Sequence, residues 1–482
     1  MAPAFYERRI EYIELSGEKA YEYLNFVVKA LHNVYSDRIK FVLKSTYEDK
    51  PAASITISTK SGDIDVLLVA DRNPWYRILT LKGERLFERV NLIAQIIEGA
   101  TLLFSETEGK GIVYFAFVPR MRIVPPKYES LTYKLFGKLL FGNLVFALAL
   151  SLVIFYIFWT IFKSWAPVAL ILSQIPLLII AYKIIEFSLG DWVLDPTNRH
   201  VYLVGIKLPL EEYSTLLTRF FYPHRFEFKR RIYEETIRVG REPTKDYVKS
   251  LLEEYGFSVD YDSIVVKRVD LYSIVERVFR KFGIPIPRVI VSNIVIPNAA
   301  ATGVLRGLSG LLVTTGLLTR LDEEEVEAVI AHEASHVKHR DPFLLFILIS
   351  AEYLTRVSIA LTFWHIFVSI PFLEFLYLLF SLTLLFFAAK FIEARADIEA
   401  ALLTGKPSKL ANALKKIGTR RLLRERGLNA RLSAWLLWDN HPPITFRIET
   451  LEKMKAPPVE NPWKLAIKGC LKDFLNCLLK AA

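Results

Sequence analysis

Two long apolar blocks stand out from a chain that otherwise mixes polar and apolar positions. Leu139 to Phe162 runs 24 residues without a charge, and Ser164 to Tyr182 adds 19 more. At 1.5 Å per residue, a helix of either length crosses about 30 Å of hydrocarbon. Lys163 and Pro167 mark a turn between them, so the pattern predicts a transmembrane hairpin. The second block lies between Pro342 and Ala389 and is interrupted by Glu352, Arg356 and Glu374. Pro371 divides it into two helices of spanning length, 343–368 and 371–390, a second hairpin; a buried or partly inserted hairpin is the alternative. Glu352 and Arg356 are four apart with the acid first, so they can pair on one helix face.

The remaining stretches read as soluble structure. Ala53–Thr59 and Asp63–Val69 alternate as strands around a Ser61-Gly62 turn. Gly17–Val34 and Gly83–Leu103 carry helical spacing. Further on, a hairpin is expected about Asp195–Asn198 and a helix near 244–255. The organisation predicted is an N-terminal α+β cytoplasmic domain over 1–130, whose role is unknown, and a first transmembrane hairpin over 131–187. A soluble α+β linker region over 188–275 follows. A C-terminal domain then spans 276–482, interrupted by the second hairpin at 343–390. The fold class is a mostly α integral membrane protein with two transmembrane hairpins, an α+β domain carrying a zincin-type His-Glu-x-x-His at 332–336, and the N-terminal α+β domain.

Composition agrees with this. Hydrophobic residues make up 52% of the 482, and the mean hydropathy is +0.28, high for a soluble protein of this length. Aromatics at 13% and charged residues at 23% exclude a disordered chain. Two cysteines, Cys470 and Cys477, cannot build a disulfide framework; seven apart, they read as small buried residues on one helix face. No secretory signal peptide is seen at the N-terminus. Arg120, Arg122, Lys127, Lys134 and Lys138 precede the first span, and Lys338, Arg340, Lys390 and Arg395 flank the second hairpin. By the positive-inside rule both hairpins start and end in the cytoplasm, placing the chain in the cell membrane as a multi-pass protein with its C-terminal domain facing inward. The net charge of +11 then reads as attraction to the lipid bilayer, and no recognition motif supports nucleic-acid binding.

The chemistry concentrates in Leu321–Pro342. Asp322 with Glu325 forms a capping-box start, and Val326, Val329, Ile330, Ala334 and Val337 give the helical apolar spacing. Inside lies His332-Glu333-Ala334-Ser335-His336, an HExxH. Its two imidazoles project from one face about 6 Å apart along the axis and can share one tetrahedral ion, with Glu333 placed as general base. His339 is seven residues from His332, about 10.5 Å along the axis, too far to join the same ion. It is assigned to the surface, or to supporting a ligand. Glu393 and Asp397, four apart after the second hairpin, supply a candidate third ligand and a carboxylate able to orient a ligand histidine; a solvated charged face is the alternative reading of that segment.

HEASHVKHRDP, then two apolar spans, then EARAD, resembles the HtpX-like integral-membrane zinc metalloproteases, relatives of the type I CAAX prenyl proteases. The resemblance implies one Zn²⁺ per chain held by His332, His336 and Glu393, with Glu333 as base and Asp397 supporting a ligand. Pro297–Gly303 looks like the family's PNAxATG, which implies an edge strand whose backbone at Asn298 and Ala299 pairs with substrate. His441–Arg447 looks like its HPP…R element, implying His441 at the oxyanion and Arg447 in support. The activity implied is cytoplasmic-face cleavage of membrane or misfolded polypeptides, as in protein quality control. A processing peptidase of lipidated C-termini and an inactive scaffold with a structural zinc are the alternatives. The oligomeric state is not legible in the sequence.

Overall fold

The computed structural model describes residues 4–10, 15, 17–59, 62–80, 87–107, 110–123, 144–209, 216–425, 428–454 and 461–481. The chain divides into two compact units. One comprises Met1–Phe115, Gly205–Phe228 and Thr244–Val265; the other comprises Ala116–Val204, Lys229–Pro243 and Val266–Ala482.

In chain order the elements are β1 (Ala4–Arg9), α1 (Ala20–Tyr35), β2 (Ile39–Tyr47), β3 (Lys50–Thr59), β4 (Gly62–Val69), β5 (Trp75–Thr80), α2 (Phe87–Thr107) and β6 (Lys110–Phe117). Next come α3 (Leu144–Phe162), α4 (Ala166–Leu189), β7 (Trp192–Leu194), β8 (Val201–Pro209), α5 (Tyr222–Glu235), α6 (Lys245–Glu254), β9 (Ile264–Val269) and α7 (Leu271–Lys281). They are followed by β10 (Arg288–Ser292), β11 (Ala299–Leu305), β12 (Leu308–Thr314), α8 (Thr315–Arg320), α9 (Glu323–His339), α10 (Asp341–Thr362), α11 (Trp364–Ser369) and α12 (Pro371–Thr404). The last four are α13 (Pro407–Arg424), α14 (Leu428–Leu436), α15 (Ile444–Lys453) and α16 (Pro462–Ala481).

The first unit is built on an antiparallel sheet of order β1-β5-β4-β3-β2. The alternation seen in the sequence is the alternation of burial: Ile55, Ile57, Ile64, Val66 and Leu68 are fully covered. Thr59 pairs with Gly62, although the turn at Ser61 lies outside the described residues. Helix α1 turns Tyr23, Leu24, Val27 and Leu31 inward, and the buried Tyr23 hydroxyl meets Thr101 of α2 at 2.9 Å. The Thr244 side chain caps α6 by accepting the Tyr247 N–H.

In the second unit a four-stranded sheet runs β11-β12-β10-β7, with β10 parallel to β12 and the other pairs antiparallel. A third sheet runs β6-β8-β9. The predicted turn at Asp195–Asn198 is present, with Asp195 Oδ1 accepting the Thr197 and Asn198 N–H groups. It does not close a hairpin, however, because β7 and β8 belong to different sheets.

Among the described residues, three helical stretches are long and apolar enough to cross a membrane: Val153–Leu189, Asp341–Thr362 and Phe375–Thr404. The start expected at Leu139 lies outside the described residues. Lys163 breaks the first stretch between α3 and α4 with a left-handed backbone, φ 52°. The predicted helix 343–368 stops at Thr362, where Phe363 leaves helical geometry at ψ 24°. Pro371 begins the next helix, which runs on without a break to Thr404 and so carries both the apolar segment and Glu393. The Glu352–Arg356 pair forms at 3.1 Å, and Ser381 of the facing helix donates to Glu352 at 2.9 Å.

Helix α4 lies against β12 because Gly310 has no side chain. A Cβ there would come 2.9 Å from Tyr182 Cβ. Gly310→Ala is expected to cost about 1–3 kcal/mol through overpacking, read as a lower thermal-inactivation midpoint in detergent. An unchanged midpoint would show that the helix can move off the sheet freely.

Candidate metal centre

The helix bearing the histidines is set at both ends. At its start Asp322 Oδ1 accepts the Glu325 N–H and Glu325 Oε2 accepts the Asp322 N–H, each at 2.8 Å, so the capping box is closed. At its end Arg340 takes a left-handed backbone at φ 54° and its N–H returns to the His336 and Val337 carbonyls. That reversal brings Asp341 back to His336, with Oδ2 2.7 Å from Nδ1.

Helix α12 packs against α9 and presents Glu393 and Asp397 to it. His332 Nδ1 lies 2.9 Å from Asp397 Oδ1. Asp397 in turn accepts Arg447 Nε and Nη2, both at 2.7 Å and all buried. Each imidazole therefore turns Nδ1 towards a carboxylate; at His336 the contact is a hydrogen bond, which favours an Nδ1–H tautomer with Nε2 free to donate its lone pair.

The two Nε2 atoms are 3.2 Å apart, and Glu393 oxygens lie 3.4 Å from His332 Nε2 and 3.6 Å from His336 Nε2. Three acceptors thus converge, and Glu393 Oε2 is buried without a hydrogen-bond partner, an arrangement that is costly unless a cation sits among them. Ligand atoms placed 2.0–2.2 Å from a tetrahedral ion are about 3.3–3.6 Å from one another, which is the spacing found. The carboxylates make the pocket attractive to positive charge: burial alone would lower His332, but Asp397 and Glu393 outweigh it and push it up to about 10, and a metal ion bound at Nε2 would take the place of that proton. His332, His336 and Glu393 form a cluster that fits a metal ion.

Half-buried beside them, Glu333 accepts the Ala301 N–H through Oε2 at 2.8 Å. Ala301 lies in β11, which pairs only with β12 among the described residues. Asn298 commits both backbone groups to Thr314, its N–H to the hydroxyl at 2.8 Å and its carbonyl to the Thr314 N–H at 3.0 Å. Strand alternation then places Ala299, Ala301 and Gly303 on the row facing away from β12.

His441 Nε2 stands 3.6 Å from Glu393 Oε2, and Nδ1 is 3.1 Å from Asp439 Oδ1. The hydrogen bond from His441, with Arg421 nearby, holds Asp439 well below the usual carboxylate range. The loop is pinned by Arg421, which donates to the His441 and Pro442 carbonyls at 3.2 Å. His339 bonds Glu399 at 2.9 Å and takes no part in the cluster.

Sequence reasoning missed Asp341, Arg395, Arg421 and Asp439. Arg395, fully buried, pairs with the carboxylate of Asp341. Two of the four had a readable signal: Asp341 is the first acid after the HExxH helix, and Asp439 precedes His441 by two residues.

The segment holding this cluster is also where the chain resembles known proteins. Residues 266–455 match the model of Peptidase family M48. Protease HtpX homolog 2 of Methanosarcina acetivorans is 31% identical over 219 residues, covering 38% of this chain and 72% of that protein. The Protease HtpX homolog of Methanocaldococcus jannaschii is 36% identical, over 38% of this chain and 74% of that protein. The crystal structure of S. mikatae Ste24p aligns with a TM-score of 0.38 at 15% identity, over 75% of this chain and 74% of that one, a likeness too slight to bear on the fold. A family model matched on the segment where three metal-fitting side chains meet, together with relatives matched over nearly three quarters of their own length, decides the affiliation: the chain belongs to peptidase family M48, among the HtpX-like membrane metalloproteases, a zinc-dependent group.

Proposed function

We propose that this chain is a zinc-dependent endopeptidase that cleaves membrane or misfolded polypeptides at the cytoplasmic face. The observation that carries the reading is the convergence of His332, His336 and Glu393 beside a glutamate tethered to an edge strand. Those three residues would hold one Zn²⁺ per chain. When bound, zinc polarises the scissile carbonyl and lowers the pKa of a water at the site towards about 7.

The chain's own residues supply the rest. Glu333 takes the proton of the attacking water and later delivers it to the leaving amine. Its hydrogen bond from Ala301 keeps the carboxylate aimed between the ligand helix and the strand. His441, held at Nδ1 by Asp439, turns Nε2 towards the site and is placed to stabilise the developing oxyanion. An extended substrate adds to β11 along the outward row starting at Ala299, while Asn298 anchors the start of that strand. Arg447 holds Asp397, which holds His332.

The breaks at Lys163 and at Phe363–Ile370 support two hairpins. Arg120, Arg122, Lys338 and Arg340 support the cytoplasmic orientation. Lys390 and Arg395 contribute less than their positions suggest, since both are buried and engaged by the Leu437 carbonyl and Asp341.

Detergent-purified protein tested on casein, with and without a zinc chelator, examines the reading directly. Cleavage abolished by chelator and restored by zinc is expected; chelator-resistant cleavage would sink it. Asp341→Asn should leave the three ligands in place and weaken zinc affinity about 10–100-fold, measured by competition with a chromogenic chelator. Unchanged affinity would mean that Asp341 does not orient His336.

A further inference from the structure

Helix α16 lies beyond the family-matched segment, yet it is built into the catalytic unit. One face carries Ala466, Cys470 and Cys477, all buried with Trp435 and Phe446. The opposite face is apolar and open: Ile467, Leu471, Leu475, Leu478 and Leu479 are 38%, 41%, 50%, 44% and 75% exposed. Lys464, Lys468 and Lys472 stand exposed on the same outer side, one per turn.

The depth of this face is set by its partner α12. Near the start of α16, Trp463 stacks on the Arg395 guanidinium at 5.0 Å. Eleven residues later Phe474 packs edge-on against Phe387, with ring centres 5.2 Å apart. As α16 advances from 463 to 474, its contact on α12 retreats from 395 to 387, so the helices are antiparallel. The end of α16 therefore points along the apolar segment Phe375–Thr404 towards Leu384 and Phe380, which are themselves 54% and 65% exposed. Leu475, Leu478 and Leu479 lie beyond the Phe387 level, and the lysines lie at the level where α12 emerges from its apolar stretch. Leucines continuing into the apolar layer, with lysines behind them whose long stems can reach back to the headgroups, form the pattern of a helix whose end dips into the bilayer.

We propose that α16 is an interfacial anchor. Its last two turns enter the apolar layer beside α12, and Lys464, Lys468 and Lys472 hold the phosphate of anionic lipid headgroups. The proposal rests on α12 spanning the bilayer, so the test separates the two ideas.

Full-length protein in bilayer nanodiscs containing anionic lipid would carry a single nitroxide at Leu475→Cys, Leu479→Cys, Lys468→Cys, Leu384→Cys or Glu323→Cys; the native cysteines are buried. Labels at 475 and 479 should collide with oxygen as freely as the label at 384, and should be shielded from a water-soluble nickel chelate that reaches 323. The label at 468 should report intermediate depth. A label at 384 deep in lipid with 475 open to nickel would overturn the anchor alone. A label at 475 shielded from both reagents would mean that a protein surface, such as a second copy, covers the face, and would overturn it too. Nickel access at 384 would overturn the span and the anchor together. Separately, the triple variant Lys464→Glu/Lys468→Glu/Lys472→Glu should retain at least about tenfold less anionic lipid by native mass spectrometry; equal retention would overturn the headgroup assignment.

Discussion

Glu333→Gln is expected to lower casein turnover by about 10²–10⁴-fold, the usual contribution of a positioned general base, while metal content stays at the wild-type level. The amide is nearly isosteric, so the Ala301 N–H keeps an acceptor where Oε2 stood, and the three ligand atoms are untouched. What the variant lacks is a lone pair basic enough to take a proton. The measurement is paired: initial rates on casein, and zinc per chain by elemental analysis on the same preparation. Low activity with lost zinc would point to a disturbed site and not a missing base. Activity surviving with zinc retained would end the assignment of Glu333, leaving His441 as the nearest titratable alternative, its Nε2 being 3.6 Å from Glu393.

The parts of this site that could be read from residues alone depend on short-range periodicity. HExxH places two imidazoles on one face by helical geometry, and Asp322 with Glu325 marks where that helix begins. Glu393 and Asp397 share a face for the same reason, and a helix carries both. The tight spacing of Cys470 and Cys477 read correctly as one buried face. Features set by chain reversals and distant partners were harder to reach. Asp341 supports His336 only because Arg340 adopts a left-handed turn, and nothing in an arginine announces that conformation. The direction of the β11 backbone depends on which residue pairs with Thr314, and a shift of one position would exchange the outward and inward rows. Arg421, Glu425 and Lys390 hold the loop around His441 from elements far away in sequence. Their roles are tertiary, so composition and spacing carry no trace of them. The end of the helix predicted at 368 fell six residues short for a related reason: Phe363 is as apolar as its neighbours, and only its backbone angles mark the break.

The second large effect concerns Glu393. With Glu393→Ala the cluster keeps two Nε2 atoms 3.2 Å apart and loses the carboxylate that completes the triangle. Zinc affinity should therefore fall by more than the 10–100-fold that an outer-shell change costs, and purified protein should carry background zinc only. A stability measurement makes the case without relying on activity. A ligand that binds only the folded state raises its stability by RT ln(1 + [L]/Kd), so stripping zinc from the wild type should lower its thermal midpoint, and the same chelator should leave the Glu393→Ala midpoint unmoved. A variant that had simply misfolded would lack a cooperative transition altogether, which separates the two causes of lost activity. Zinc at full occupancy in Glu393→Ala, with the chelator still shifting the midpoint, would place the third ligand elsewhere. His441 is the candidate the geometry offers next, and adding His441→Ala to the variant would decide between them. Its ring already faces Glu393 across 3.6 Å, so a small movement of the Arg421-pinned loop is all that such a substitution of ligands would require.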